Sequence, residues 1–234
     1  MNLKQPSQLP LSFGQTELFS FEHFVAGGNA EIIKRLLFCA AGSEPETLFL
    51  WGRPGAGKSH LLQALCTASA ENERASVYLP LAENRKFTPQ LLEGLEALSI
   101  VCLDDVDRIA GDEYWEHAVF NLFNRVREEH HTLVLSARAA PKSIRFSLAD
   151  LASRMNWGLI YQLQDLDDAG KLEVLQQKAR ARRFELPEEV GNYLIRRLPR
   201  DMHALCQFLD RLDQASLVAK RKLTIPFVKE IMTQ

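Results

Sequence analysis

The chain has 234 residues, 46% of them apolar and 25% charged, enough for one large domain or two small ones around a sizeable core. Its net charge of −2 excludes a global basic field for nucleic-acid binding. No apolar run approaches a transmembrane span and no signal-peptide core stands at the N-terminus, so a cytoplasmic protein with no membrane contact is expected. Cys39, Cys66, Cys102 and Cys206 are far apart in the chain and form no C-x-x-C pair. Buried free thiols are therefore expected, not a zinc site or a disulfide framework.

Residues 1–17 are polar and broken by Pro6 and Pro10, which predicts an irregular tail. Within it, Gln8, Leu11 and Phe13 fit Q-x-x-L-x-F, which resembles the peptide bacterial proteins use to dock on the replication sliding clamp. Leu11 and Phe13 would be apolar anchors, and the Gln8 amide would fix register. Phenylalanines then crowd residues 19–24, followed by Gly27-Gly28. Phe24 and Val25 are candidates for the wall of an adenine slot. A helix is expected over about 29–41, from the stripe Ile32, Ile33, Leu36 and Leu37.

Residues 47–51 read as a buried strand, and Leu61, Leu62 and Leu65 as a helix. Between them lies Gly52-Arg53-Pro54-Gly55-Ala56-Gly57-Lys58-Ser59, which fits G-x-x-x-x-G-K-[ST], the phosphate-binding P-loop. Its glycines let successive N–H groups turn inward on a phosphate, and the following helix N-terminus adds partial positive charge. The expected nucleotide-binding run is Pro54, Gly55, Ala56, Gly57, Lys58, Ser59 and His60. Lys58 would reach the terminal phosphates and the Ser59 hydroxyl would hold Mg2+.

A second strand is expected over 75–81 and a short amphipathic helix over 89–98. Residues 99–105 are an apolar run ending in Asp104-Asp105, which reads as a Walker B strand with its C-terminal end at the ligand. Asp104 would hold Mg2+, directly or through water, and Asp105 would orient an attacking water as general base. A long helix over 113–129 leads to a solvated turn at His130-His131. A fourth strand over 132–136 places Ser136 where it can sense a terminal phosphate. A basic, proline-broken loop, a short helix over 148–155 and a fifth strand over 159–163 follow. After Asp165 the pattern is helical only: about 168–183, 188–198, 201–220 and 225–232. The expected division is a tail at 1–17, an α/β base with a parallel five-stranded sheet at 18–164, and a small all-α lid at 165–234.

An α/β P-loop base with a helical lid resembles AAA+ proteins. Phe21–Val25, His60-Leu61-Leu62 after the P-loop, Ile100–Asp105, and the run Ser153-Arg154-Met155-Asn156-Trp157-Gly158-Leu159 make it similar to the AAA+ part of DnaA, the bacterial replication initiator. The resemblance implies that Arg154 is an arginine finger reaching into a neighbouring subunit's nucleotide site. The sequence departs from DnaA in having no helix-turn-helix reader after the lid, a shorter segment at about 82–98, and the clamp-type peptide at its start. That pattern resembles the regulatory inactivators of DnaA. Ala137 replaces a usual acidic sensor. His203 stands where a sensor arginine is normal, and Arg200 offers partial substitution, which implies weak intrinsic hydrolysis and a preference for a diphosphate.

The function implied is negative regulation of replication initiation. A nucleoside diphosphate such as ADP, or ATP, would sit with Mg2+ in the chain's own site while Arg154 stimulates hydrolysis of DnaA-bound ATP. The implied partners are DnaA, the β sliding clamp, a second copy as homodimer or homo-oligomer, and DNA only indirectly or non-specifically through Lys142 and Arg145. A helicase- or clamp-loader-type ATPase hydrolysing its own ATP is the alternative.

Overall fold

The computed structural model describes residues 19–219 and 221–233. Gln8, Leu11 and Phe13 lie outside the described residues. The strands are β1 (Thr47–Trp51), β2 (Ser76–Pro80), β3 (Ile100–Asp104), β4 (Thr132–Ala137) and β5 (Leu159–Gln162). They form one all-parallel sheet in the order β2-β3-β4-β1-β5, so the fold is the α/β P-loop architecture with a five-stranded parallel sheet.

Both faces are covered, which is why the central strands read as unbroken apolar runs. Leu48, Leu50, Ile100, Cys102 and Val134 point to one face, under α1 (Ala30–Ala41) and α2 (Lys58–Glu71). Phe49, Val101, Leu103, Leu133 and Leu135 point to the other, under α3 (Glu113–Glu128) and α4 (Ala149–Arg154). The two-residue strand period sorts these side chains. β5 is an edge strand, and Leu159 and Ile160 remain exposed on it.

From Asp168 the described chain is helical: α5 (Asp168–Ala181), α6 (Glu188–Arg197), α7 (Met202–Ala219) and α8 (Ile225–Met232). These close on their own core, with Leu175, Leu194, Leu205, Leu209 and Phe227 at its centre. The fold therefore ends in a helical lid with a core separate from those flanking the sheet.

Two details differ from the sequence pattern, and a third is a contact that the pattern does not show. Residues 89–98 do not form one amphipathic helix. Gly94 takes φ +81° and splits the segment into 3-10 turns at Pro89–Leu92 and Leu95–Ala97, because a left-handed residue cannot continue a helical ladder. His131 is half-buried, not a solvated turn residue, and its Nδ1 lies 2.8 Å from the Glu96 carbonyl. Cys66 on α2 and Cys102 on β3, distant in the chain, bring their sulfurs to 3.9 Å as free thiols.

Candidate nucleotide site and arginine finger

The P-loop leaves β1 at the C-terminal edge of the sheet and enters α2 directly. Gly57 takes φ +95°, and a Cβ there would come within 2.5 Å of the Phe24 ring. The loop thus needs glycine for its backbone angle and for the aromatic packed against it. Lys58 is buried, and its Nζ donates to the Gly52 carbonyl at 2.8 Å and the Arg53 carbonyl at 3.0 Å. Burial pushes its ammonium pKa down, opposed by the charges of Asp105, Asp104 and Asp107. The lid closes over the loop. A Cβ on Gly55 would lie 3.0 Å from the Met202 nitrogen and 3.1 Å from the His203 nitrogen, so the start of α7 abuts the phosphate cradle.

Asn29 is a member of this site that the sequence pattern missed. It is buried, donates from Nδ2 to the Gln164 carbonyl at 3.1 Å, and accepts from the Gln164 N–H at 2.8 Å. This two-way amide pairing ties the segment carrying Phe24 and Val25 to the strand-to-lid connection. In sequence Asn29 reads as an ordinary helix-start residue, and no short-range signal marks a partner so far along the chain.

His60 is held between Phe19 and Phe24, with ring centroids at 5.5 and 5.4 Å, and its Nε2 lies 2.9 Å from the Ser20 carbonyl. A carbonyl only accepts, so Nε2 carries the proton. Burial is the main cause that lowers the pKa of this ring from 6.5. The unfolded chain therefore binds a proton here that the folded chain resists. Stability contributed by neutral His60 is present above about pH 6.5 and is lost as pH falls through the lower folded value. Urea midpoints measured from pH 7.5 to 5 should fall for the wild type and fall less for His60→Gln. An identical slope in both would show that another group governs the loss.

The Walker B end is a closed polar cluster. Asp104 is buried at 2% exposure. It accepts from the Tyr78 hydroxyl at 2.7 Å, from the Ser136 hydroxyl, and from the Asp105 N–H at 3.1 Å. Three of roughly four acceptor positions on the carboxylate are thus used. The remaining one fits a magnesium-bound water better than direct coordination, and Ser59 and Asp104 are the residues that would hold such an ion. Burial and the Asp104 charge raise the Tyr78 pKa far above that of a free phenol, so Tyr78 stays a donor. Ser136 is fully buried, and its oxygen also accepts from the Asp105 N–H at 3.1 Å. It acts on this site through Asp104.

Asp105 adopts the left-handed conformation, φ 54° and ψ 48°, which swings its side chain out of the strand direction. Burial and the Asp104 and Asp107 charges raise its pKa, and the Arg138 guanidinium lies 4.0 Å away. Arg200 pairs with Asp168 at 3.7 Å, and His203 Nε2 lies 2.9 Å from Gln207 Nε2. Both lid side chains are thus engaged within the lid, while the α7 backbone beside them is what meets the P-loop.

Arg154 ends α4. Its guanidinium lies 4.0 Å from the centroid of Trp157 and 6.0 Å from those of Phe120 and Phe123. Among the described residues no carboxylate pairs with it. The loop leading into α4 is fixed by Glu116, fully buried on α3. Glu116 accepts from the N–H groups of Gly111 at 2.6 Å, Ser147 at 3.1 Å and Leu148 at 2.7 Å. It thereby supplies partners to groups at the α4 N-terminus that the helix itself cannot satisfy. In sequence Glu116 looks like one more solvated glutamate on a long helix.

Known proteins share this architecture. Domain III of the Thermotoga maritima replication initiation protein DnaA superimposes with a TM-score of 0.81 at 21% identity, over 92% of this chain and 96% of that one. AMPPCP-bound DnaA from Aquifex aeolicus gives 0.65 at 22% identity, over 82% and 65%. The Thermotoga maritima RuvB Holliday junction branch migration motor gives 0.68 at 17% identity, over 92% and 71%. These likenesses establish the fold. Residues 168–232 match the Hda lid domain. Residues 15–162, more than half of the chain, match the bacterial DnaA ATPase domain, and the chain belongs to that family.

Proposed function

We propose that the protein is a DnaA-directed regulator, which binds a nucleoside diphosphate such as ADP in its own P-loop site and stimulates hydrolysis of ATP held by DnaA. The observation that carries this reading is the placement of Arg154. Its guanidinium has aromatic neighbours on α3 and just past α4, and among the described residues it has no salt-bridge partner and no side-chain hydrogen bond to the P-loop. Such a cation is available to a second subunit. Docking on the β sliding clamp through Gln8, Leu11 and Phe13, and assembly as a homodimer or homo-oligomer, belong to the same proposal.

In its own site the chain binds and orients. The glycine-rich backbone around Gly55 and Gly57 presents N–H groups to a polyphosphate, and Lys58 exchanges the Gly52 and Arg53 carbonyls for phosphate oxygens. Phe24 and Val25 wall the base. Mg2+, when bound, neutralises phosphate charge, with Ser59 and Asp104 as its holders. Hydrolysis there is expected to be weak. Asp105, the candidate base, lies near Arg138, and the lid side chains His203 and Arg200 are engaged elsewhere. In DnaA's site, Arg154 would place its guanidinium on the charge that develops on the transferred phosphoryl group.

The test is ATP turnover by DnaA with the clamp loaded on DNA. Wild type should accelerate it, and the triple variant Gln8→Ala/Leu11→Ala/Phe13→Ala should not when clamp is required. Lys58→Ala should weaken the chain's own ADP binding, measured by calorimetry. If the protein instead left DnaA unaffected and hydrolysed ATP alone, with Lys58→Ala abolishing that activity, a helicase- or loader-type motor would be the correct reading.

A further inference from the structure

Arg154 does not stand alone on its aromatic ledge. The Arg127 guanidinium lies 4.7 Å from the centroid of the same Trp157 ring that Arg154 covers at 4.0 Å. Phe120, Phe123 and Arg127 follow one another at three- and four-residue steps along α3, so one helix face delivers all three to this point. Trp157 sits just past α4, in the tight turn before β5. Its indole is 41% exposed, although tryptophan is a residue that folding normally hides. Among the described residues neither guanidinium pairs with a carboxylate. Both guanidinium groups are drawn to one indole, whose negative face attracts cations.

We propose that Trp157 is the positioning residue of the arginine finger. Its indole holds the Arg154 side chain extended and oriented before any partner arrives, and Arg127 holds the indole. This rests on the reading of Arg154 as a finger acting in trans. An arginine has four rotatable side-chain bonds, and freezing them against a flat ring in advance removes an ordering cost from the transition state. Trp157 touches the finger and not the reacting atoms, so its loss lowers the rate without abolishing docking.

The experiment is single-turnover hydrolysis by ATP-loaded DnaA, titrated with wild type and with Trp157→Phe, Trp157→Ala, Arg127→Ala and Arg154→Ala, clamp-loaded DNA present throughout. Trp157→Ala should lower the maximal rate about 10- to 100-fold, as a misplaced catalytic group does, while the half-saturating concentration stays near the wild-type value. Trp157→Phe, which keeps an aromatic face, should recover most of the rate, and Arg127→Ala should lie between. In the free protein, the Arg154 Nε–H NMR resonance should be displaced upfield by the indole ring current and return to an ordinary position in Trp157→Ala. An unchanged maximal rate in Trp157→Ala with Arg154→Ala inactive overturns the positioning role alone. A loss confined to the half-saturating concentration makes Trp157 a docking residue and also overturns it. Full stimulation by Arg154→Ala sinks the finger reading itself, and the positioning role with it.

Discussion

Arg154→Ala is expected to lower stimulated hydrolysis of DnaA-bound ATP by about a thousandfold or more, the range that arginine fingers contribute. The same variant should keep its fold and its own ADP affinity. Arg154 covers Trp157 at 4.0 Å and reaches Phe120 and Phe123 only at 6.0 Å, so the loss is that of one cation–π contact, about 0.5–2 kcal/mol, less than the stability of a domain. Arg154→Lys should not rescue, because an ammonium is a point charge and cannot reproduce the planar fork on phosphate oxygens. Turnover of labelled ATP on DnaA, with ADP affinity from calorimetry as the control, separates the effects. A variant that stimulates fully would remove Arg154 from the chemistry. One that loses ADP binding would show that the residue serves its own site.

The second large effect is structural and reaches the same residue. Glu116→Ala removes the acceptor for three backbone N–H groups, those of Gly111, Ser147 and Leu148. Gly111 and Ser147 are exposed and Leu148 is half-buried, so water reaches part of this cluster and the expected loss is about 1–3 kcal/mol, that of one buried donor left without a partner. For a domain of this size that is a drop in Tm of roughly 2–12 °C. Glu116→Gln keeps one carboxamide oxygen and should cost less than half as much. The loss should be local as well as global. Amide exchange at Ser147 and Leu148 and along α4 should quicken well before the sheet opens, and stimulation of DnaA should fall because α4 ends in Arg154. Thermal melts and hydrogen exchange check this. A Glu116→Ala protein with wild-type Tm and protected α4 amides would show that water replaces the carboxylate without cost.

Much of the site could be read from local pattern. The P-loop is legible because a phosphate cradle needs glycines and lysine at set steps between a strand and a helix. The structure places Gly57 in a left-handed angle against Phe24, in line with that need. Asp104 was legible as the polar end of an apolar strand. The 89–98 segment misled because its leucines keep helical spacing while Gly94 breaks the ladder. The partners of Asp104 and Asn29 were not legible. Tyr78, Ser136 and Gln164 come from other strands and connections, and nothing adjacent in the chain announces them.

By itself the sequence determined the order of the five strands and of the helices outside residues 89–98, the phosphate loop, the paired aspartates and the position of Arg154, since each follows from short-range periodicity or from a motif whose chemistry lies within a few residues. Only the tertiary structure decided the strand order β2-β3-β4-β1-β5, the seating of α7 on Gly55, the burial of Glu116 beneath α4 and the meeting of Arg127, Trp157 and Arg154 on one ring. Hydrogen bonds and cation–π contacts act over a few ångströms. Residues far apart in the chain make them only after both faces of the sheet have been covered and the lid has packed on its own core.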